Sequence, residues 1–311
     1  MRRDMRALSC LGLVLALGAW SPHVSTSATP RQTDIFVGAL EEHVSDAPSA
    51  VPRRVVRVLF RKSDGDWVAL PSCANAPCSS EARAQFPREV HWTIAFSGRR
   101  LGRVAARTPD QWQSYSDIGQ QEIISAPPIP TVGTRSEVYA GWMGVPVLRP
   151  LVAVSEPFTA DPEGWRPAPL AHAIRNNLMA EFRSLFPVAD NCASAESDAR
   201  PTPYRDSDIQ LVGTYASNAS WRIATLSLKN YRCDGPGNGG PQDPFEWQEF
   251  AISPNGVITH IGTGLRLVDA GDYDNDGRSE LIFAKSEYNE DGYALYYADF
   301  AHRAEFTFHY H

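Results

Sequence analysis

From residue 55 onward, the chain is dominated by short runs in which apolar and polar positions alternate or β-branched and aromatic residues cluster. Runs of this length and composition, separated by turn-forming residues, are typical of β-strands. The clearest are VVRVLFR (55–61), EVHWTIAFS (89–97), IQLVGTYAS (209–217), WRIATLSLK (221–229), ELIFAKS (280–286) and GYALYYADF (292–300). Asp64-Gly65 and Asn255-Gly256 suit tight hairpins between such strands. The pattern therefore predicts an all-β protein built largely from antiparallel hairpins.

The spacing of the strong strands suggests how they are grouped. They begin near positions 55, 90, 137, 209, 246 and 281, at steps of about 35–47 residues with one of about 72. A period of about 40–50 residues is typical of β-propellers, so we expect a propeller-like array of four-stranded antiparallel blades over residues 29–311. We also expect the segment 33–40 to pair with the last strand, 304–311, and close the ring. A large β-sandwich or two small β domains remain alternatives, because regularly spaced turns suit these folds too.

One segment has helical rather than strand periodicity. Residues 167–187 (PAPLAHAIRNNLMAEFRSLFP) carry an apolar stripe at helical spacing, formed by Leu170, Ile174, Leu178, Phe182, Leu185 and Phe186. Pro187 is expected to end the helix. The sequence thus predicts one helical insertion near 167–187, packed against its own domain, with a partner-binding helix as the alternative.

The first 28 residues read as a targeting signal. Three arginines among the first six residues precede an apolar run over 7–20, and small polar residues follow up to Ala28. This order is typical of a secretory signal peptide. The alternative, a membrane anchor, needs about 20 apolar residues, and this run is shorter. We expect residues 1–28 to be removed and the protein to be exported to the periplasm or the extracellular space.

Charge and hydropathy narrow the functional class. The chain has 311 residues, a formal net charge of -7 and a sequence pI near 5.6. Removal of residues 1–28 leaves 26 basic and 35 acidic residues, a net charge of -9. An acidic chain without a basic cluster argues against a nucleic-acid partner. No later segment reaches the length of a membrane span, so no membrane span is expected.

Loss of the signal peptide also removes Cys10 and leaves four cysteines. An oxidising compartment favours disulfides over free thiols. The most economical pairing joins Cys73 to Cys78 across a short loop and Cys192 to Cys233 across a longer one. A four-cysteine zinc site is the alternative, but these spacings differ from the paired C-x₂-C arrangement usual for zinc.

The segment GDYDNDGRSELIF contains the chemistry that is most specific in this chain. Asp272, Asp274 and Asp276 alternate along it, Gly277 follows, and Glu280 occupies the ninth position of the loop. Calcium takes six to eight hard oxygen ligands, and alternate carboxylates on a tightly curved loop can supply several of them. Crowded carboxylates repel one another unless a cation lies between them.

We therefore predict one structural Ca²⁺ site whose ligands are these three aspartates, the Arg278 backbone carbonyl and Glu280, directly or through water. Magnesium fits less well, because it requires stricter octahedral geometry. The alternative is an acidic turn that joins two strands without binding a metal.

The loop is not an EF-hand, because position twelve is Phe283 instead of a bidentate glutamate. Its strand–loop–strand setting resembles the FG-GAP and VCBS-type repeats of integrin-like propellers, whose blades carry a D-x-D-x-D-G-x-x-D/E calcium loop between their first two strands. The resemblance covers residues 264–311, about one blade. The chain departs from the family in showing only one such loop, and in having Glu280 where aspartate is common.

By this resemblance, the protein is expected to be a binding or scaffolding module for an unknown protein or carbohydrate ligand rather than an enzyme. Zinc-protease, nucleophile-elbow and phosphate-loop motifs are all missing from the sequence. Two alternatives remain open. The first is a periplasmic or extracellular hydrolase whose acids converge only in three dimensions. The second is a component of an envelope assembly.

The cysteine assignment gives the first testable prediction. Peptide mapping without reduction is expected to find Cys192 cross-linked to Cys233, since two cysteines left over in an oxidising compartment pair with each other. The same digest after reduction and alkylation is the control. Free thiols at both positions in the unreduced protein would contradict the pairing.

Overall fold

The computed structural model describes residues 34–44, 52–73, 78–141, 144–155, 160–186, 204–229 and 246–310. The described residues from Asp34 onward belong to one compact unit. The predicted signal peptide (1–28) and the predicted Cys192–Cys233 pair lie outside the described residues. Cys73 and Cys78 are joined as a disulfide, with their Cα atoms 5.1 Å apart.

Six antiparallel strands form a closed barrel. Five of them lie side by side, and the first strand of the chain pairs with both outer strands of these five, which closes the barrel. Around the barrel they are β1 (Ile35–His43), β7 (Leu151–Val154), β4 (Glu89–Phe96), β5 (Arg99–Arg107), β6 (Gln120–Ile123) and β2 (Arg53–Ser63). The short strand β3 (Asp66–Ala69) forms a hairpin with β2 through the Asp64-Gly65 turn. Large side chains such as Trp92, Phe60 and Leu151 are fully buried in the barrel core.

A five-stranded antiparallel sheet follows the barrel. In order it consists of β8 (Arg166–Pro167), β9 (Ile209–Ala216), β10 (Arg222–Leu228), β11 (Gln248–Ile252) and β12 (Ile258–Thr263). Helix α1 (Ser80–Arg83) is a single turn. The longer helix α2 (His172–Leu185) lies inside the range 167–187 that was predicted for a helical insertion. Helix α2 buries Leu178, Met179 and Phe182 against this sheet. Leu185 is 41% exposed, so its expected place on the buried stripe was wrong; Phe186, which is also on the predicted stripe, is buried.

No helix within the described residues is both long enough and apolar enough to cross a membrane.

The C-terminal sheet has four strands in sequence order: β13 (Leu265–Gly271), β14 (Glu280–Glu287), β15 (Glu290–Tyr297) and β16 (His302–His309). Successive side chains of a strand point to opposite faces of its sheet. Ile282 and Leu295 accordingly pack into the barrel core, whereas Phe283 and Tyr296 pack in a separate core with residues of the five-stranded sheet. Burial on both faces explains why ELIFAKS and GYALYYADF contain continuous apolar runs instead of strict alternation.

The all-β expectation is confirmed, but an array of four-stranded blades is not evident among the described residues. The strands form a closed barrel, a five-stranded sheet and one four-stranded sheet. A spacing of about 40 residues corresponds to pairs of hairpins, which barrels and open sheets share with propeller blades. The expected ring closure was wrong. The N-terminal strand β1 pairs with β2 and β7, and β16 pairs with β15.

A buried ionic cluster joins the barrel to the C-terminal sheet. Arg57, only 1% exposed, donates from Nε to Glu41 at 2.8 Å and from Nη1 to the Ile118 carbonyl at 2.5 Å. Its guanidinium also lies 3.9 Å from the ring centroid of Phe308 on β16. Tyr293 of β15 donates to the other Glu41 oxygen at 2.6 Å. Arg57 and Glu41 each have partners both in the barrel and in the C-terminal sheet. Removal of either side chain would leave the other charge buried and uncompensated, which would lower the free energy of unfolding by about 3–5 kcal/mol.

The five-stranded sheet contains a fully buried carboxyl group. Glu249 on β11 is 1% exposed, and burial raises the pKa of this side chain to about 8. Thr225 lies directly opposite on β10, but neither carboxylate oxygen of Glu249 has a hydrogen-bond partner at normal distance, so little offsets the cost of burial. Glu249 is therefore protonated in the folded protein at neutral pH, whereas in the unfolded chain it ionises near its ordinary pKa of 4.5.

This difference predicts how stability depends on pH. Below about pH 4.5, Glu249 is protonated in both the folded and the unfolded chain. Between about pH 4.5 and 8 it is protonated only in the folded chain, so the free energy of unfolding falls progressively as pH rises through this window. Glu249→Gln is expected to remove that loss and to be more stable than the wild type at pH 8 by about 1–3 kcal/mol. Urea unfolding at pH 5 and pH 8 measures it. Glu137→Gln, at an exposed position, is the control, and a parallel pH dependence in all three proteins would contradict the assignment.

Candidate metal centre

The acidic loop lies at the end of the hairpin formed by β13 and β14. Gly271 and Glu280 are the last paired residues of the two strands, so residues 272–279 form the connection. Asn275 and Gly277 adopt positive φ values of 62° and 87°. A Cβ atom on Gly277 would meet nothing within 4 Å, so glycine is favoured there by backbone conformation and not by lack of space.

Asp272 organises the backbone of this loop. It is 4% exposed, and its two carboxylate oxygens accept hydrogen bonds from the amides of Asp276 and Gly277, each at 3.0 Å. Asp274 accepts a further bond from the Asp276 amide at 3.2 Å, and Asp276 accepts one from the Arg278 amide at 2.8 Å. These bonds curl the chain so that alternate carboxylates turn to the same side.

The three aspartates come together as the sequence predicts. Asp272, Asp274 and Asp276 each offer an oxygen, and these oxygens all lie within 4.8 Å of one another. Burial raises the pKa of Asp272, and the neighbouring Asp274 and Asp276 charges raise it further, against the effect of its backbone hydrogen bonds. The folded chain thus concentrates negative charge where part of it is shielded from water. This arrangement has the donor type and the separation that a hard divalent cation requires.

The structure does not bring Glu280, the fourth predicted carboxylate, into the group of converging oxygens. Glu280 is 2% exposed and accepts a hydrogen bond from the Tyr273 amide at 2.7 Å. Burial, followed by the charge of Asp274, raises the pKa of Glu280 to about 8. Its ligand role, like that of the Arg278 carbonyl, stays a prediction. The Arg278 side chain points elsewhere and forms an ion pair with Asp299.

One carboxylate of the cluster already has a cationic partner from the barrel. The Nζ atom of Lys62, on β2, lies 2.5 Å from Oδ2 of Asp274, whose side chain is 4% exposed. The same ammonium lies 5.2 Å from the ring centroid of Trp67 and 5.6 Å from that of Tyr297. Sequence reasoning missed Lys62, because no local pattern links a residue of β2 to a loop more than 200 positions later.

A second loop braces the acidic loop from outside. The carboxylate of Asp161 accepts hydrogen bonds from the amides of Glu163, Gly164 and Trp165, at 3.0, 3.0 and 2.6 Å. Ser279, the last residue before β14, donates its hydroxyl to Asp161 at 2.5 Å. The sequence Asp161-Pro-Glu-Gly is a recognisable turn signal, but nothing in it indicates the contact with Ser279. The beginning of the acidic loop is therefore held by the buried Asp272, and its end is held by the hydrogen bond from Ser279 to Asp161.

Comparisons with protein-family models, with curated proteins and with solved structures find no match for the chain.

Proposed function

We propose that this protein is an exported binding or scaffolding module whose C-terminal sheet is stabilised by one structural Ca²⁺ ion. The single observation that carries the calcium assignment is the convergence of Asp272, Asp274 and Asp276 on a loop already fixed by its own hydrogen bonds. Rigid, crowded carboxylates repel one another, and an ion with several oxygen ligands relieves that repulsion.

The setting of the loop supports the proposed relation to FG-GAP and VCBS-type repeats. The acidic loop connects the first two strands of a four-stranded antiparallel meander, β13 to β16. This is the position that the resemblance assigns to the calcium loop. We propose that residues 264–311 are one such repeat unit, attached in this chain to a barrel and a second sheet. We also propose that this unit belongs to a larger propeller-like array in the chain. The unit at 264–311 is the observation that supports this part of the proposal.

The proposed residues fit calcium chemically. Three carboxylates, one backbone carbonyl and Glu280 provide hard oxygen donors only, without the nitrogen or sulfur ligands that zinc and copper prefer. A bound ion would neutralise the acidic loop and hold the β13–β14 hairpin closed, which is a structural role. With a dissociation constant of about 10⁻⁴ M, millimolar calcium would stabilise the folded state by about 1.4 kcal/mol.

The alternatives are a hydrolase and an envelope assembly component. The carboxyl groups with strongly raised pKa outside the acidic loop, Glu249 and Asp269, are buried, at 1% and 7% exposure. Asp269 accepts the Ser97 amide with both oxygens at 3.0 Å, which ties the C-terminal sheet to the β4–β5 turn. Both groups are enclosed within the fold, which supports the binding module over the hydrolase.

Calcium is expected to raise the melting temperature of the wild type by about 3–6 °C relative to chelator, from the stabilisation given above. Asp274→Ala combined with Asp276→Ala is expected to abolish this difference, because two of the converging carboxylates are lost. Differential scanning calorimetry in 1 mM calcium and in chelator measures it. Asp66→Ala combined with Asp110→Ala, at two exposed positions outside the loop, is the matched control. A calcium-independent melting temperature of the wild type would refute the site.

Lys62 gives a second prediction for the same site. Its ammonium is a like charge for an incoming cation, and Coulomb energies at this range predict a penalty of about 1–2 kcal/mol. Lys62→Met is therefore expected to bind calcium about tenfold more tightly by titration calorimetry. In chelator the variant is expected to be less stable than the wild type, since Asp274 loses its counter-ion. Arg61→Met, which makes the same change of net charge on the adjacent residue, is the control, and equal affinities in the three proteins would show that Lys62 does not oppose the ion.

A further inference from the structure

A groove lies where residues of the barrel, the five-stranded sheet and the C-terminal sheet meet, and its volume is about 460 Å³. Four half-buried aromatic side chains line it: Phe96 from the end of β4, Tyr139 from a helical turn, Tyr215 from β9 and Trp247 before β11. A volume of this size falls in the range of small-molecule sites, which are lined mainly by apolar and aromatic groups with a few fixed polar ones.

Arg149 supplies one of the fixed polar groups. Its guanidinium donates to the carbonyls of Leu267 and Val268 at 3.2 and 2.6 Å. The same group lies 4.9 Å from the ring centroid of Phe96 and 5.4 Å from that of Tyr139. A guanidinium held by two carbonyls and two rings loses little further freedom when it binds a ligand, so it is organised for binding beforehand.

Arg266 supplies the second group, from β13. Its guanidinium lies 4.8 Å from the ring centroid of Trp247 and shares the groove with Arg149. Stacking on the indole fixes the plane of the guanidinium, and its Nη1 donates to the Gly264 carbonyl at 3.4 Å. Two arginines, one from the segment before β7 and one from β13, therefore line the same groove.

The charge of the groove is unlike that of the rest of the chain. Its lining includes Arg149 and Arg266 but no aspartate or glutamate, although the protein carries a net charge of -7. Asp269, whose charge acts on Arg149, is buried and its oxygens accept the Ser97 amide. A concave surface with two cations and aromatic walls is complementary to an anion that also has an apolar face.

We propose that this groove binds a small organic carboxylate with an apolar or planar face. The two arginines hold the carboxylate, and the ring faces of Tyr215 and Trp247 receive the rest of the molecule. The proposal goes beyond the calcium-stabilised module and does not depend on the metal. The same chemistry occurs in uronic acids and in the free carboxyl end of a peptide, so the test separates these two sources.

The experiment is a titration followed by tryptophan fluorescence and by calorimetry, with four probes at up to about 10 mM. Glucuronate is compared with glucose, and N-acetylphenylalanine with its carboxamide. Each pair differs in the charged group and keeps most of the remaining shape. The titrations are run both in calcium and in chelator, so that a failure of the calcium proposal leaves this result readable.

The variants are Arg266→Gln and Arg149→Gln, with Arg303→Gln as the matched control. Arg303 also lies over an aromatic ring, 5.5 Å from the Tyr296 centroid, but outside the groove. Arg149→Gln removes bonds to two carbonyls and can unfold the protein, in which case Arg266→Gln decides. Melting temperatures verify that each tested variant is folded.

At least one carboxylate is expected to bind about tenfold or more tightly than its neutral counterpart, and folded Arg266→Gln is expected to lose about tenfold in affinity for it. Arg303→Gln is expected to bind like the wild type. Binding of glucuronate alone assigns the groove to acidic sugars, and binding of N-acetylphenylalanine alone assigns it to peptide ends. The proposal is overturned if neither carboxylate binds, if the neutral counterparts bind equally well, or if folded Arg266→Gln retains full affinity.

Discussion

Burial of the C-terminal sheet on both faces is the constraint on which the rest of the structure depends. One face of β13–β16 completes the core of the barrel, and the other packs in a common core with the five-stranded sheet. Removing this sheet would expose apolar surface on both of its neighbours, at about 25 cal/mol for each Å². The ionic cluster of Arg57, Glu41 and Tyr293 lies at the first of these contacts and fixes its register, because its hydrogen bonds are directional.

The packed C-terminal sheet holds the acidic loop in place. It leaves the sheet from Gly271 and returns at Glu280, so both of its ends belong to strands that cannot shift independently. The barrel supplies Lys62 on one side, and the Asp161 turn supplies a bracing contact on the other. Functional groups placed on packed strands are held more precisely than groups on long free loops. A cluster of like charges therefore persists in the folded chain, although the same residues in an unsupported loop would spread apart.

Features that a few neighbouring residues determine could be predicted from the sequence, and features that depend on contacts between distant residues could not. Strand positions, helix α2 and the convergence of Asp272, Asp274 and Asp276 follow from spacing along a few residues, and these could be predicted. The closure of the barrel by β1 could not, because pairing partners separated by more than 100 residues leave no local pattern.

The same limit applies to the site and to the helix. Lys62 and Asp161 contact the acidic loop across long sequence separations. The groove that contains Arg149 and Arg266 is lined by residues of the barrel, the five-stranded sheet and the C-terminal sheet. Leu185 was assigned to the buried stripe by periodicity alone. Near the end of a helix, the last turn and the following loop decide which side chains are buried; of the two stripe residues there, Phe186 is buried and Leu185 is exposed.

Strand β13 connects the two proposed binding features. Arg266 lies near its beginning and the acidic loop follows its end at Gly271, about 15–20 Å away along an extended chain. A cation that closes the loop and a carboxylate that holds Arg266 would both favour the same position of this strand against its neighbours. Linkage requires that any such coupling be reciprocal, so each ligand would raise the affinity for the other by the same factor. The expected factor is small, because β13 is already held by Arg149 and by the Asp269–Ser97 bonds before either ligand binds.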